Sequence, residues 1–328
     1  MNTIPANPTL PRYFPIEKGI FEIAPGLRPL GTDFGNSDYD KKIFQIDQDF
    51  KTYHSNKLNC ASEDLHKYFL TQNLKPDLEK HFIRFFCEQL VFEYPNIFSI
   101  QDFGLGGWNL KCTHTSHSLY FAPDGSLDSN KSFVPATHAI HALALQVQED
   151  FALLQIDSEG KNYLSLLHVC SPAHWSPGDK IGKDFTQVHA PIPGIEKINS
   201  ASKQFAEAMV KKGPFVRFVW GFATDNRLNH HPSPPPEISN SAWHGRKFVS
   251  PTESKFYLRI ERQVTWGFPE LNAALFTIRV SFWDGDEIKN DPSKCALLLS
   301  ALKGMNASFL KYKGLHGSIS PLVDWLQL

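Results

Sequence analysis

Three strand-like segments crowd into the last third of the chain: FVRFVWGFA near 215 to 223, KFYLRIERQVTW near 255 to 266 and AALFTIRVSFW near 273 to 283. Each is rich in aromatic and β-branched residues and alternates with a period of two, the pattern of a half-buried strand. No long helical pattern separates them, and parallel neighbours require one, so an antiparallel sheet is expected instead of a doubly wound parallel one. ALALQVQEDFALLQI near 142 to 156 and YLSLLHVC near 163 to 170 read as two further strands. Between the first two of the late strands lies HHPSPPPEISNS, 230 to 241, whose prolines exclude a central strand and indicate an exposed loop with His230 and His231 in solvent.

Helical signals flank these strands. DLEKHFIRFFCEQLVFEY, 77 to 94, spaces Leu78, Phe82, Phe85, Phe86, Leu90 and Val91 at helical intervals, starts after Pro76 and stops before Pro95. SASKQFAEAMVKK, about 200 to 212, ends in lysines and Gly213 as a helix C-terminus should. A third helix is expected from Asp291–Pro292 through KCALLLSALKGMNASFLKYK, and a short last one from Ser320–Pro321. Residues 1–40 carry Pro5, Pro8, Pro11, Pro15, Pro25 and Pro29 alongside Phe14, Ile16, Ile20, Phe21, Ile23 and Leu27, so they should wrap irregularly over the body. The expected organisation is one α+β domain: a wrap over 1–76, a core over about 100–285 and C-terminal helices over 291–328.

Charge narrows the function classes. Lysine plus arginine (33) nearly balances aspartate plus glutamate (34) without long runs, so nothing invites a nucleic acid or an anionic membrane. The start, MNTIPANPTLPRYFP, lacks a signal-peptide pattern and no apolar run reaches membrane-spanning length, which gives a cytoplasmic expectation. Cys60, Cys87, Cys112, Cys170 and Cys295 are scattered without a C-x-x-C pair and read as buried small hydrophobes. Metal chemistry must therefore run through the 14 histidines, while 26 Phe and 7 Trp are enough to line a pocket for a bulky planar cofactor. His114 with His117, and His138 with His141, have the spacing of a helical metal pair but neither lies on a strong helix or near a third ligand.

Two residues stand out chemically. Alternation puts Arg217 with Phe215 and Val219 on one face of its strand, an isolated cation that must find Glu261 or another anion. The competing reading makes Arg259, Glu261 and Arg279 a structural ion-pair ladder on the outer sheet face. The second is His189, which ends HVCSPAHWSPGDKIGKDFTQVHAPIPG, 168 to 194; Pro191 and Pro193 stiffen the backbone behind it, so its imidazole is presented rigidly. Such a histidine is either a satisfied structural residue or a metal ligand.

CSPAHWSPGDKIGKDFTQVHAPIPG resembles a block of the haem-dependent oxidative N-demethylase family: a cysteine, P-x-x-W, a lysine–glycine step and a histidine before A-P-V-P. LRIERQVTWGFPELNAALFTIRV is similar to its L-R-x-E-R-Q block, which runs into a strand ending F-T-I-R. Weaker agreement covers YFPIEKGIFEIAPGLRPL, VQED at 147 to 150 and RFVW at 217 to 220, all in the same order over roughly residues 13 to 283. The resemblance implies haem b in a PAS-like fold, with the proximal histidine falling on His189 and the distal arginine on Arg217. The family's R-x-N-W reads R-x-V-W here, so Val219 replaces an asparagine. Lys180 and Arg262, cations within the matched blocks, are the expected partners of the haem propionates. The resemblance further implies oxidation of a small N-methyl amine by dioxygen with release of formaldehyde. Electrons would come from separate partner subunits carrying NADPH, flavin and an iron–sulfur centre. The alternatives are a haem-binding sensor or carrier without turnover, and a structural protein without haem.

Overall fold

The computed structural model describes residues 11–245 and 247–328, without the side chains of residues 197 and 198. Pro5, Pro8 and the rest of the first ten residues of the expected wrap lie outside the described residues. The strands are β1 (Arg28–Pro29), β2 (Phe69–Thr71), β3 (Phe98–Asp102), β4 (Trp108–Cys112), β5 (Ser118–Phe121), β6 (Asp150–Ile156), β7 (Asn162–His168), β8 (Phe215–Ala223), β9 (Tyr257–Phe268) and β10 (Ala273–Asp284). Among the described residues they form a seven-stranded sheet of order β1-β8-β9-β10-β6-β7-β2 and a three-stranded sheet β3-β4-β5. Every pairing is antiparallel, as the absence of crossovers requires.

The helices are α1 (Phe50–Tyr68), α2 (Pro76–Glu93), α3 (Ala139–Ala144), α4 (Phe185–His189), α5 (Glu196–Asn199), α6 (Ser202–Lys211), α7 (Asn240–Trp243), α8 (Gly285–Lys289), α9 (Pro292–Lys303), α10 (Ala307–Tyr312) and α11 (Ile319–Gln327). The α+β class and the flanking helices are as expected; several boundaries are not. Of the strand expected near 142 to 156, the first residues belong to helix α3, and the strand starts only at Asp150. The helix expected from Asp291 onward breaks into α9 and α10 around Gly304, where Asn306 caps the second piece by accepting from the Phe309 N–H. Helix α1 fills part of what was expected to be an irregular wrap. Its buried stripe, Tyr53, Lys57 and Cys60, has helical spacing but includes a lysine.

Two layers cover the large sheet. One face packs α2, α3 and the small sheet through Phe82, Phe86, Phe151, Val264 and Leu275. Farther along that face, α9 and α11 meet Trp220, Leu258 and Ile260, and Tyr13 and Ile16 of the N-terminal stretch join them. The opposite face carries α6, whose Ala206, Met209 and Val210 lie on Leu154 and Ala274. The helix comes so close at Gly267 that any Cβ there would collide with the Val210 carbonyl. Trp175 and Ile181 of the long β7–α4 connection pack on the same face against Ala152, Leu167 and Val169.

All five cysteines are buried and free, as their scatter implied. No helix among the described residues is long and apolar enough to cross a membrane.

Candidate functional site

Period-two alternation and strand register build one wall of the site. On the face that carries α6, Arg217, Gln263 and Ile278 form one cross-strand row, and Val219, Glu261 and Val280 form the next. The Gln263 side-chain amide donates to Glu261 Oε2 at 3.1 Å, and Arg259 Nε lies 3.6 Å from Glu261 Oε1. Arg217 makes no hydrogen bond or close ion pair among the described residues, and its Nε is buried without a partner. Burial lowers the pKa of its guanidinium, and the Glu261 charge partly opposes that shift.

The second wall is the β7–α4 connection. Asp184 caps α4, accepting from the Gln187 N–H at 2.8 Å while its own N–H donates to the Gln187 side chain at 3.1 Å. His189 closes this one-turn helix, so the imidazole expected in a proline-stiffened loop is also held by a helix. Its Nδ1 sits 2.7 Å from the Phe185 carbonyl oxygen. A carbonyl only accepts, so Nδ1 carries the proton and the Nε2 lone pair is left free. The Phe185 ring packs on the imidazole at 4.3 Å and faces Phe205 of α6 at 6.0 Å, which ties α4 to the sheet layer.

Lys180 reaches the same place. Its ammonium donates to the Val188 carbonyl at 3.0 Å and lies over the Trp175 ring at 4.8 Å. Burial lowers its pKa, with Glu261 acting against the shift. The charges of Lys180 and Arg217 both act on His189, although burial is the larger reason that its pKa falls to about 4. One carboxylate, Glu261, thus acts on three cations, Lys180, Arg217 and Arg259.

This assigns a pH dependence with a definite sign. An unfolded histidine titrates near about 6.5, so between there and about 4 the unfolded chain binds the extra proton. The stability tied to neutral His189 is complete above the upper value and is lost as pH falls through the lower. Urea midpoints measured from pH 7 to pH 4 should decline, and His189→Gln should flatten part of that decline. Parallel curves for the two proteins would remove the effect from this residue.

Arg262 does not join His189, Lys180 and Arg217. It alternates to the other sheet face, where one terminal nitrogen donates to the carbonyls of Lys42 at 2.8 Å and Asp40 at 3.4 Å. Lys180 and Arg262, both expected as propionate partners, thus lie on opposite faces of the sheet. Arg279 also leaves the expected ladder, since it faces Arg262 across β9 and β10 and pairs with Asp47 at 2.5 Å. Only Arg259 and Glu261 remain as the same-face pair.

The histidines singled out by their spacing or their loop make structural contacts or buried pairs. His114 and His117 sit in the turn between β4 and β5, not on a helix; there Gln146 Nε2 donates to His117 Nδ1 at 3.0 Å. His138 caps α3 and His141 meets His168 at 3.0 Å. His230 and His231, expected in solvent, are buried, and His230 bonds Asp225 at 2.9 Å.

Sequence reasoning missed the Phe185 carbonyl that orients His189. The four-residue spacing, one helical turn, was the available signal. It also missed a buried group on the β6 and β7 ends, Asp150, His168 and Cys170, whose ligand-type atoms lie within 4.8 Å of one another. Asp150 is already engaged there by the backbone N–H groups of Cys170 and Ser171 at 3.0 and 2.6 Å.

Comparison with protein-family models adds the context for these residues. The model described as "Haem-dependent oxidative N-demethylase, alpha subunit-like" matches residues 36–322, which include both walls of the site. The chain belongs to the haem-dependent oxidative N-demethylase alpha-subunit-like family.

Proposed function

We propose that this chain, as one domain with a PAS-like sheet, holds haem b in the cleft between β8–β9 and α4, and oxidises a small N-methyl amine. The observation that carries the reading is the His189 ring, whose Nδ1–H is fixed on the Phe185 carbonyl while neutral Nε2 has no partner among the described residues. Histidines that ligate metals ordinarily donate their other ring nitrogen in this way.

The remaining residues fit the same group. Lys180 and Arg217 supply positive charge that Glu261 alone does not balance, which suits a ligand bearing two carboxylates. Lys180 is the cation we assign to a propionate; Arg262, behind the sheet, loses that assignment. Val219 and the half-buried Phe276, Trp175 and Ile181 offer apolar surface to a planar ring.

Bound haem would supply the reductive activation of dioxygen, chemistry that no side chain provides. The balanced reaction converts R2N–CH3, O2, two electrons and two protons into R2NH, formaldehyde and water. In our reading Arg217 places its unpartnered donors where negative charge develops on oxygen, which is worth most in a cleft with little water. Gln263, in the same row as Arg217, bonds Glu261 of the next row and holds that carboxylate in place. The electrons come from outside the chain, and we assign them to separate subunits that pass them from NADPH through flavin and an iron–sulfur centre.

Reconstituted protein supplied with reductant, dioxygen and dimethylamine should release formaldehyde. Arg217→Ala should keep the haem spectrum and lose roughly 100-fold in product formation. Undiminished formaldehyde from that variant removes Arg217 from the reaction. Haem uptake without product from any N-methyl amine would favour a sensor or carrier, a reading to which Val219, which has no donor where the family has asparagine, lends some weight.

A further inference from the structure

A cavity opens at the part of β10 that β6 leaves unpaired. It has a volume of about 290 Å³, and its lining includes Tyr13, Gln45, Asp49, Arg262 and Arg279 but none of His189, Lys180 or Arg217. Thr52 and Asn226 are exposed at its mouth, whereas Tyr13, Gln45 and Arg262 are buried.

The polar groups around this space are incompletely paired in a complementary way. On the donor side, Arg262 uses one terminal nitrogen on backbone carbonyls, while its Nε and other terminal nitrogen have no partner. The two free nitrogens lie on different edges of the guanidinium, so each can donate a single hydrogen bond to a carboxylate oxygen. On the acceptor side, Gln45 Oε1 is buried without a donor. Its amide nitrogen is occupied by Tyr13 Oη at 2.7 Å and the Tyr39 carbonyl at 3.0 Å, so the oxygen is not simply misassigned. Asp49 adds a carboxylate that has no hydrogen bond or ion pair through its side chain among the described residues, because the nearby Arg279 is engaged by Asp47.

Leaving a buried donor or acceptor unpaired is destabilising. A ligand bearing both a carboxylate and an ammonium group would satisfy both sides at once, and a simple anion or cation would satisfy only one. The cavity is also the size of a small metabolite, well below that of a porphyrin site.

We infer that this cavity binds a small zwitterion of the α-amino-acid type, with the carboxylate on Arg262 and the ammonium held by Asp49 and Gln45. The inference does not depend on the haem reading, since the two sites share no residue.

Titration calorimetry of the full chain with each of the twenty standard L-α-amino acids tests it. At least one should bind saturably, and its N-acetyl and carboxamide derivatives should each bind about tenfold or more weaker, a difference of about 1.4 kcal/mol. Asp49→Asn, a change at a partly exposed position, should weaken the zwitterion about tenfold without affecting folding, and Ser281→Val should narrow the cavity and do the same. Because Arg262 variants risk misfolding, these two replacements carry the test. His189→Ala should leave the affinity unchanged, which separates this result from any failure at the other cleft. No saturable binding by any amino acid, or affinity indifferent to both Asp49→Asn and Ser281→Val, overturns the proposal.

Discussion

Haem binding is expected to collapse in His189→Ala, with the Soret band of the reconstituted protein lost or shifted and affinity reduced at least about 100-fold. The size follows from what the substitution removes. Among the groups at the cleft, His189 alone combines a neutral imidazole, held below protonation by burial, with a free Nε2. Lys180 is charged and bonded to Val188, and Arg217 has no lone pair to offer. The fold should survive, because His189 is only partly buried and closes a five-residue helix whose cap, Asp184, is untouched. Exogenous imidazole should restore the band in the alanine variant, which a purely structural role for the ring would not permit. A variant with an unchanged Soret band would end the proximal assignment.

The second large effect is on stability. Asp47→Ala should destabilise the protein by about 3–5 kcal/mol, because it strands Arg279 in the interior. Asp47 accepts from Arg279 at 2.5 Å and from Gln148 at 3.0 Å, and the other carboxylate near Arg279, Glu149, is 4.0 Å away. Burial raises the Glu149 pKa, so that group is a poor substitute counter-charge. The Arg279 guanidinium also stacks over Tyr53 at 4.0 Å, and the Tyr53 hydroxyl bonds the Val280 carbonyl, so its displacement would disturb α1. The paired change Asp47→Leu with Arg279→Met should recover most of the loss, since a buried ion pair contributes little over a packed apolar pair. A loss below about 1 kcal/mol in urea denaturation of the single variant would show that water or another group reaches the arginine.

Where periodicity and burial agree, the sequence already contains the fold. Helix α2 has Leu78, Phe82, Phe86 and Leu90 on one buried stripe, and β8, β9 and β10 alternate as their residues imply. Legibility ends where a polar residue occupies an interior position. Helix α1 escapes notice because Lys57 is fully buried in the stripe, its ammonium satisfied by the carbonyls of Ala144, Val147 and Glu149 at 2.6–2.9 Å. The first residues of the strand expected near 142 to 156 mislead in the opposite way, since an apolar run buried all round has the same composition in a strand as in a helix. His230 looks solvated beside a run of prolines, yet Asp225 draws it inside.

At the site, alternation separates Glu261 from Arg262 within β9, whereas Lys180 and Arg262 stand out only as cations within the matched blocks, a signal that says nothing about which sheet face each occupies. The resemblance singles out His189 and Arg217. The charge of Arg217 reaches His189 because α4 docks on α6, a contact between segments that no local pattern encodes.

One feature of the large sheet bears on how the cleft is assembled in time. β9 and β10 pair along twelve residues each and are joined only by Pro269–Asn272, so this hairpin closes with little loss of loop entropy. The wall bearing Glu261 and Gln263 is therefore the locally self-sufficient one. The wall bearing His189 is a single short turn at the end of a long connection and depends on everything beneath it. In amide hydrogen exchange the hairpin should be the slow partner and residues 170–195 the fast one. Entry and exit of a large ligand would then proceed by the second wall swinging away from a standing first.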